Sequence, residues 1–203
     1  MFDMLEELAA IHRRVARDAV SQTVSVSVTR AYEADAAEVW DALTNPERLP
    51  RWFYPVTGDL EVGGTFQLEG NAGGDILRCE RPARLEVTFG GPASILDVRL
   101  TEASGTTTLE LTHTVPLAMA GSGAGALFVG PGWDGALLGL GLHLGGVTMG
   151  DPLEAANLPE VIEFNRGSIA GWTEAIESSE TATEREIADA RETAVAQYTR
   201  LPA

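Results

Sequence analysis

Residues 96–115 read LDVRLTEASGTTTLELTHTV, and their period of two decides the fold class. Leu96, Val98 and Leu100 alternate with Asp97 and Arg99, and Ser104-Gly105 supplies a hairpin turn. Beyond the turn Thr107, Leu109, Leu111, His113 and Val115 share one side of a strand, with Thr108, Glu110, Thr112 and Thr114 on the other. Strands with one apolar face, joined by tight turns, make an antiparallel sheet with one covered face.

The same period extends toward the N-terminus. Leu85, Val87 and Phe89 form one strand face, Asp75 to Glu80 a less regular strand, and Thr65 to Glu69 alternates around Phe66 and Leu68. Val24, Val26 and Val28 alternate with Ser25, Ser27 and Thr29 in an earlier strand. Between these, Asp35 caps a helix AAEVWDAL with Glu38 three residues on, and Asn45-Pro46 opens a second short helix.

Toward the C-terminus, residues 132–147 read GWDGALLGLGLHLGGV. Trp133, Leu137, Leu140, Leu144 and Val147 fall at helical spacing, and no fixed charge occurs from 135 to 150, so this helix needs cover on both sides. Cover comes from the tail, from the N-terminal segment or from a second copy of the chain, the last giving a homodimer. The tail predicts a helix over 159–179 with Val161, Phe164 or Asn165, Ile169, Trp172 and Ile176 on one stripe. A last helix follows, opened by a Thr183–Glu186 capping box and edged by Ile187, Ala190, Ala194 and Tyr198. In the first zone Phe2, Leu5, Leu8, Ile11 or His12, Val15 and Ala19 predict an amphipathic helix. The organisation is therefore an N-terminal helix over 1–22, a central domain over 23–150 and a helical extension over 151–203.

The chain has 203 residues, 14 arginines, no lysine and 30 acidic residues, for a net charge of -16. Such a chain repels phosphate backbones and anionic lipid, which argues against nucleic acid and membrane partners. The apolar run 135–150 falls short of the ~20 residues of a spanning helix. Acidic residues precede basic ones in the first zone, the wrong order for a secretory signal, so the location expected is cytoplasmic. A lone Cys79 closes no internal disulfide.

The middle zone resembles the START-like superfamily with its helix-grip fold, and within it the family similar to the activator of heat-shock-protein-90 ATPase. The residues carrying the likeness are Ala36 to Trp40 with Thr44-Asn45-Pro46-Glu47, Trp52, the run Gly58 to Phe66, Arg81 to Leu85, Leu109 to Thr114, and Gly132-Trp133. The likeness spans roughly 23–148. It implies an α+β fold, with an antiparallel sheet wrapped around a long C-terminal helix and an internal cavity for hydrophobic small molecules. Some relatives are polyketide cyclases or aromatases; others bind without chemistry.

The candidate ligand-binding residues are Trp52, Phe53, Tyr54, Phe66, Leu68, Phe89, Val98, Leu111, His113, Trp133, Leu137 and Leu140. Cavities of this kind are mostly apolar with few polar groups, and here His113 and the Tyr54 hydroxyl are the polar ones. No catalytic residue is assigned, because His113 has no carboxylate at a spacing that would orient it. His113 and His143 lack a third ligand, so no metal is expected, and no cofactor is expected either. No lysine is present for a phosphate loop, and Gly121-Ser122-Gly123 lacks the spacing of a hydrolase elbow. The function expected is binding of a hydrophobic or amphipathic small molecule, including lipid. The alternatives are a cyclase or dehydratase using His113 and Tyr54, and a regulatory or co-chaperone-like interaction module.

Overall fold

The computed structural model describes residues 4–147 and 158–199. Its strands are β1 (His12–Asp18), β2 (Thr23–Tyr32), β3 (Val56–Gly58), β4 (Thr65–Leu68), β5 (Gly73–Glu80), β6 (Arg84–Thr88), β7 (Ile95–Ala103) and β8 (Thr106–Pro116). They lie in one eight-stranded sheet in the order β1-β2-β8-β7-β6-β5-β4-β3. The helices are α1 (Met4–Ala9), α2 (Ala36–Thr44), α3 (Leu117–Ala120), α4 (Ala126–Leu144), α5 (Pro159–Ser179) and α6 (Glu184–Tyr198). The α+β class and the antiparallel sheet expected from residues 96–115 are both present. The described residues form two compact units. One is drawn from Met1–Val28, Thr114–Leu138 and Leu153–Ala203, the other from Thr29–His113 and Gly139–Pro152.

In the second unit, β3 to β7 pair as an antiparallel meander. Leu85 faces Val98 and Val87 faces Leu96, so apolar side chains meet across neighbouring strands. A register shift between Ile76 and Arg78 marks a bulge in β5, which accounts for the poor alternation of that strand in the sequence. Ser104 and Gly105 both take positive φ, as a two-residue hairpin turn of the favoured twist requires. On β8 the buried set is Thr107, Leu109, Leu111 and His113, with Thr108 and Glu110 exposed. Asp35 caps α2 by accepting from the Glu38 amide at 2.7 Å. The short helix expected after Asn45-Pro46 is reduced to a turn and one 3-10 turn over Leu49–Arg51. Asn45 instead ends α2, its amide donating to Asp41, and Pro50 has no N–H to carry an α-helical ladder.

In the first unit, α5 packs against β1, α1 and α6. Trp172 and Ile176 have no exposed surface, and Phe164 and Ile169 are almost fully buried. The stripe differs from expectation in one place: Ile162 rather than Val161 is buried. The capping box at Thr183 and Glu186 is complete, each side chain accepting from the other's backbone N–H.

The amphipathic helix expected over 1–22 is corrected. Helix α1 ends at Ala9 and residues 12–18 are strand β1. Phe2, part of that expected stripe, lies outside the described residues, as do 148–157. Ile11 and Val15 fit either period, and pairing beside β2 satisfies more backbone than a short isolated helix could hold. The Asp18 carboxylate accepts from the Val20 and Ser21 amides and Gln22 takes positive φ, which together turn the chain from β1 into β2.

Helix α4 begins six residues earlier than the Gly132 start expected, and Pro131 lies inside it. An interior proline removes one ladder bond. Burial of Ala126 and Leu127 offsets that loss. The helix ends at Gly146, φ +74°, in a Schellman motif: Val147 N–H reaches Leu142 O and Gly146 N–H reaches His143 O.

Candidate functional site

Of the twelve expected site residues, ten belong to the second unit, and Trp133 and Leu137 to the first. Leu68, Val98, Leu111, Leu140, Trp133 and Leu137 are all buried. Trp52, Phe53, Tyr54, Phe66 and Phe89 are half-buried.

Two aromatic groups form in the second unit. The first follows the 3-10 turn at Leu49–Arg51: Trp52 stacks on Phe53 with centroids 5.3 Å apart, and Phe53 meets the edge of Tyr54 at 4.9 Å. Trp52 Nε1 donates to the Ala42 carbonyl at 3.1 Å, which fixes the indole to the end of α2. Gly139 leaves room for it, since a Cβ there would lie 3.1 Å from the Trp52 carbonyl oxygen. The second group runs across the sheet. Phe66 of β4 lies over Phe89, just past β6, at 6.4 Å, and Phe89 meets His113 of β8 edge-on at 5.9 Å.

His113 ends that row. Its Nε2 lies 2.7 Å from Ser94 Oγ, and either atom can be the donor. Burial pushes the imidazole pKa down to about 4, so the ring is neutral near pH 7. A neutral imidazole beside a hydroxyl can exchange hydrogen bonds with an uncharged polar group. It is a weak general base.

His143 is tied differently. Arg48 Nε and Nη2 lie 3.3 and 3.1 Å from His143 Nε2, and Arg48 Nη1 pairs with Asp41 at 3.0 Å. Guanidinium only donates, so His143 Nε2 accepts and the ring carries its proton on Nδ1. Burial first, then the charges of Arg48 and Arg51, lower the His143 pKa. Among the described residues no three histidine, cysteine or carboxylate side chains are grouped to hold a metal ion.

Sequence reading missed several polar residues. Arg30 continues the buried face of β2, 6% exposed, with its guanidinium 5.1 Å from the Tyr32 ring centroid. Ser94 gave no signal, lying in the turn before β7. Asp134 did give one, as the only fixed charge between Leu111 and Gly150. In the first unit it is fully buried, and its Oδ2 accepts from Arg13 Nε at 2.7 Å, Ser168 Oγ at 2.5 Å and Trp172 Nε1 at 3.1 Å. Burial raises its pKa against the opposing pull of Arg13 and the two neutral donors. The first unit also holds an open cleft of about 690 Å³ between β1 and α5, floored by Ile11, Arg13 and Val15.

No helix among the described residues is long and apolar enough to cross a membrane. Residues 33–143 match the family model described as Activator of Hsp90 ATPase homolog 1-like protein. The chain is similar to the crystal structure of CalU16 from Micromonospora echinospora, at 36% identity over 82% of this chain and 98% of that one, with a TM-score of 0.67. The solution structure of CalU16 gives 34% identity, 84% and 97% coverage and a TM-score of 0.69. DynU16, a protein in the dynemicin biosynthetic locus, shares the fold at 24% identity over 63% of this chain and 48% of that one, with a TM-score of 0.54. No protein with a curated description matches the chain. The matched span exceeds half the sequence, the CalU16 likeness runs over most of both chains, and the chain belongs to the Activator of Hsp90 ATPase homolog 1-like family, with its START-like helix-grip fold.

Proposed function

We propose that this protein binds a hydrophobic or amphipathic small molecule without transforming it. The ligand-binding residues in this reading are those of the second unit, Trp52, Phe53, Tyr54, Phe66, Leu68, Phe89, Val98, Leu111, His113 and Leu140. One observation carries it: an aromatic row, Phe66–Phe89–His113, ends on a buried, neutral imidazole paired with the Ser94 hydroxyl. Apolar rings supply contact area, and one uncharged polar pair fixes orientation, which is how small-molecule sites are composed. The depressed His113 pKa favours binding over the cyclase-like alternative, because a base of pKa about 4 accepts a proton poorly near pH 7.

The neutral fluorophore N-phenyl-1-naphthylamine tests the reading. Saturable fluorescence enhancement is expected, weakened about tenfold by Phe89→Ala, as loss of one aromatic contact implies. An unsaturable signal, or one unchanged in the folded Phe89→Ala protein, would remove the proposal.

A further inference from the structure

We propose that the groove between β1 and α5 docks an extended peptide, which pairs with the outer edge of β1 as a further strand and sets an acidic side chain against Arg14. Strand β1 ends the sheet order, so one of its long edges has no neighbouring strand. Such an edge presents a row of backbone N–H and C=O groups to any extended chain laid beside it, an established mode of peptide recognition. Among the described residues, no backbone group of residues 12–17 bonds to a helix or a loop.

The shape of the groove places it along that edge. It is lined by every residue from Ile11 to Arg17. Successive side chains of a strand point to opposite faces, so a hollow on one face would meet only alternate residues. A strand of this length runs about 20 Å, room for a peptide segment of similar length. On the other wall Gly171, Glu174, Ala175 and Ser178 of α5 form one stripe of the helix, and all but Glu174 are small. Strand and helix are thus separated by enough width for a backbone.

The side chains of β1 set the pattern of the peptide. Ile11 and Val15 are buried and Arg13 answers Asp134, so that face of the strand is turned inward and committed. His12 and Arg14 lie on the opposite face, exposed, and among the described residues Arg14 makes no hydrogen bond or ion pair. Arg17 has Glu186 within electrostatic reach, which leaves Arg14 as the cation for the acidic residue. A residue paired opposite Arg14 points to the same face as Arg14, and its two neighbours point inward. There they meet Gly171, Ala175 and the carboxylate of Glu174, which admit small uncharged side chains and repel acids. The matching peptide has one carboxylate flanked by small or β-branched residues. A second copy of β1 fits poorly, because residues 12–18 carry three arginines and one aspartate and would face their own charge.

Titration calorimetry on the full chain tests this with the capped peptide acetyl-TVEVT-amide. Saturable binding is expected. Of its two alternately N-methylated forms, the one whose blocked nitrogens face β1 should not bind, and the other should. Lysine in place of the central glutamate should weaken binding about two- to fivefold, the scale of an exposed ion pair, and Arg14→Glu should reverse that preference. Ser178→Trp, which fills the helix side of the groove, should abolish binding. Arg14 and Ser178 are both exposed, so the melting temperature is retained in each variant. No saturable binding, equal binding of both methylated forms, or a glutamate preference unchanged in Arg14→Glu would overturn the proposal. A dimer of the chain that Ser178→Trp dissociates would assign the groove to a second copy and overturn it equally.

Discussion

Arg13 Nε donates to Asp134 Oδ2 over 2.7 Å, joining β1 to α4 through a carboxylate with no exposed surface. The same oxygen takes the Ser168 hydroxyl and the Trp172 indole N–H, so one atom collects donors from β1 and α5. A buried pair of this kind adds little net stability over an apolar substitute, but removal of one partner leaves a charge out of water.

Arg13→Met should therefore destabilise the protein by about 3–5 kcal/mol in urea unfolding. Arg13→Met/Asp134→Leu should recover a large part of that loss. A double variant no more stable than Arg13→Met would show that the charge pair is not the source of the cost.

His113 gives a pH prediction with a definite sign. Its folded pKa of about 4 lies below the ordinary 6.5, so the unfolded chain binds the proton first as pH falls. The stability present above pH 6.5 is lost progressively as pH drops toward 4, up to about 3 kcal/mol. His113→Gln, which keeps a polar partner for Ser94, should lose less over that window. Parallel urea-unfolding curves for the two proteins at pH 7 and 4.5 decide it; equal losses would remove His113 as the cause.

The two glycines at 130 and 135 should respond oppositely to alanine. A Cβ at Gly130 would overlap the Trp172 indole, whereas nothing lies within 4 Å of one at Gly135. Gly130→Ala should cost about 1–3 kcal/mol by overpacking. Gly135→Ala should gain up to about 1 kcal/mol from helix propensity. Thermal unfolding of both variants is the check.

Arg48 holds His143 in its neutral form by donating to Nε2. Arg48→Gln removes a charge that lowers the His143 pKa, so that pKa should rise toward its ordinary value while burial still keeps it somewhat low. Titration of the imidazole resonances by NMR reads this directly, and an unchanged midpoint would contradict it.

The strands and the capped helices were legible because their signals are local. The alternation from Thr107 to His113, the Ser104-Gly105 turn, and the caps at Asp35 and Thr183 all recur in the structure. What failed depended on tertiary partners. Ile11 and Val15 suit helix or strand equally, and only pairing in the sheet separates the two. The start of α4 at Ala126 defies the local penalty at Pro131, because buried apolar contacts outweigh one absent hydrogen bond. At the site, the aromatics and His113 stood out by residue type and strand face. Ser94 could not, since its role comes from a residue nineteen positions away. Asp134 was visible as a lone charge in an apolar helix, but its donors come from β1 and α5, which no spacing in the sequence connects.

The most direct measurement is an amide and aromatic NMR shift map of the full chain titrated with N-phenyl-1-naphthylamine. Saturable shifts concentrated on Phe66, Phe89, Ser94 and His113 are expected. Shifts absent at saturating probe, or confined to exposed residues remote in sequence from these four, would contradict small-molecule binding at the aromatic row.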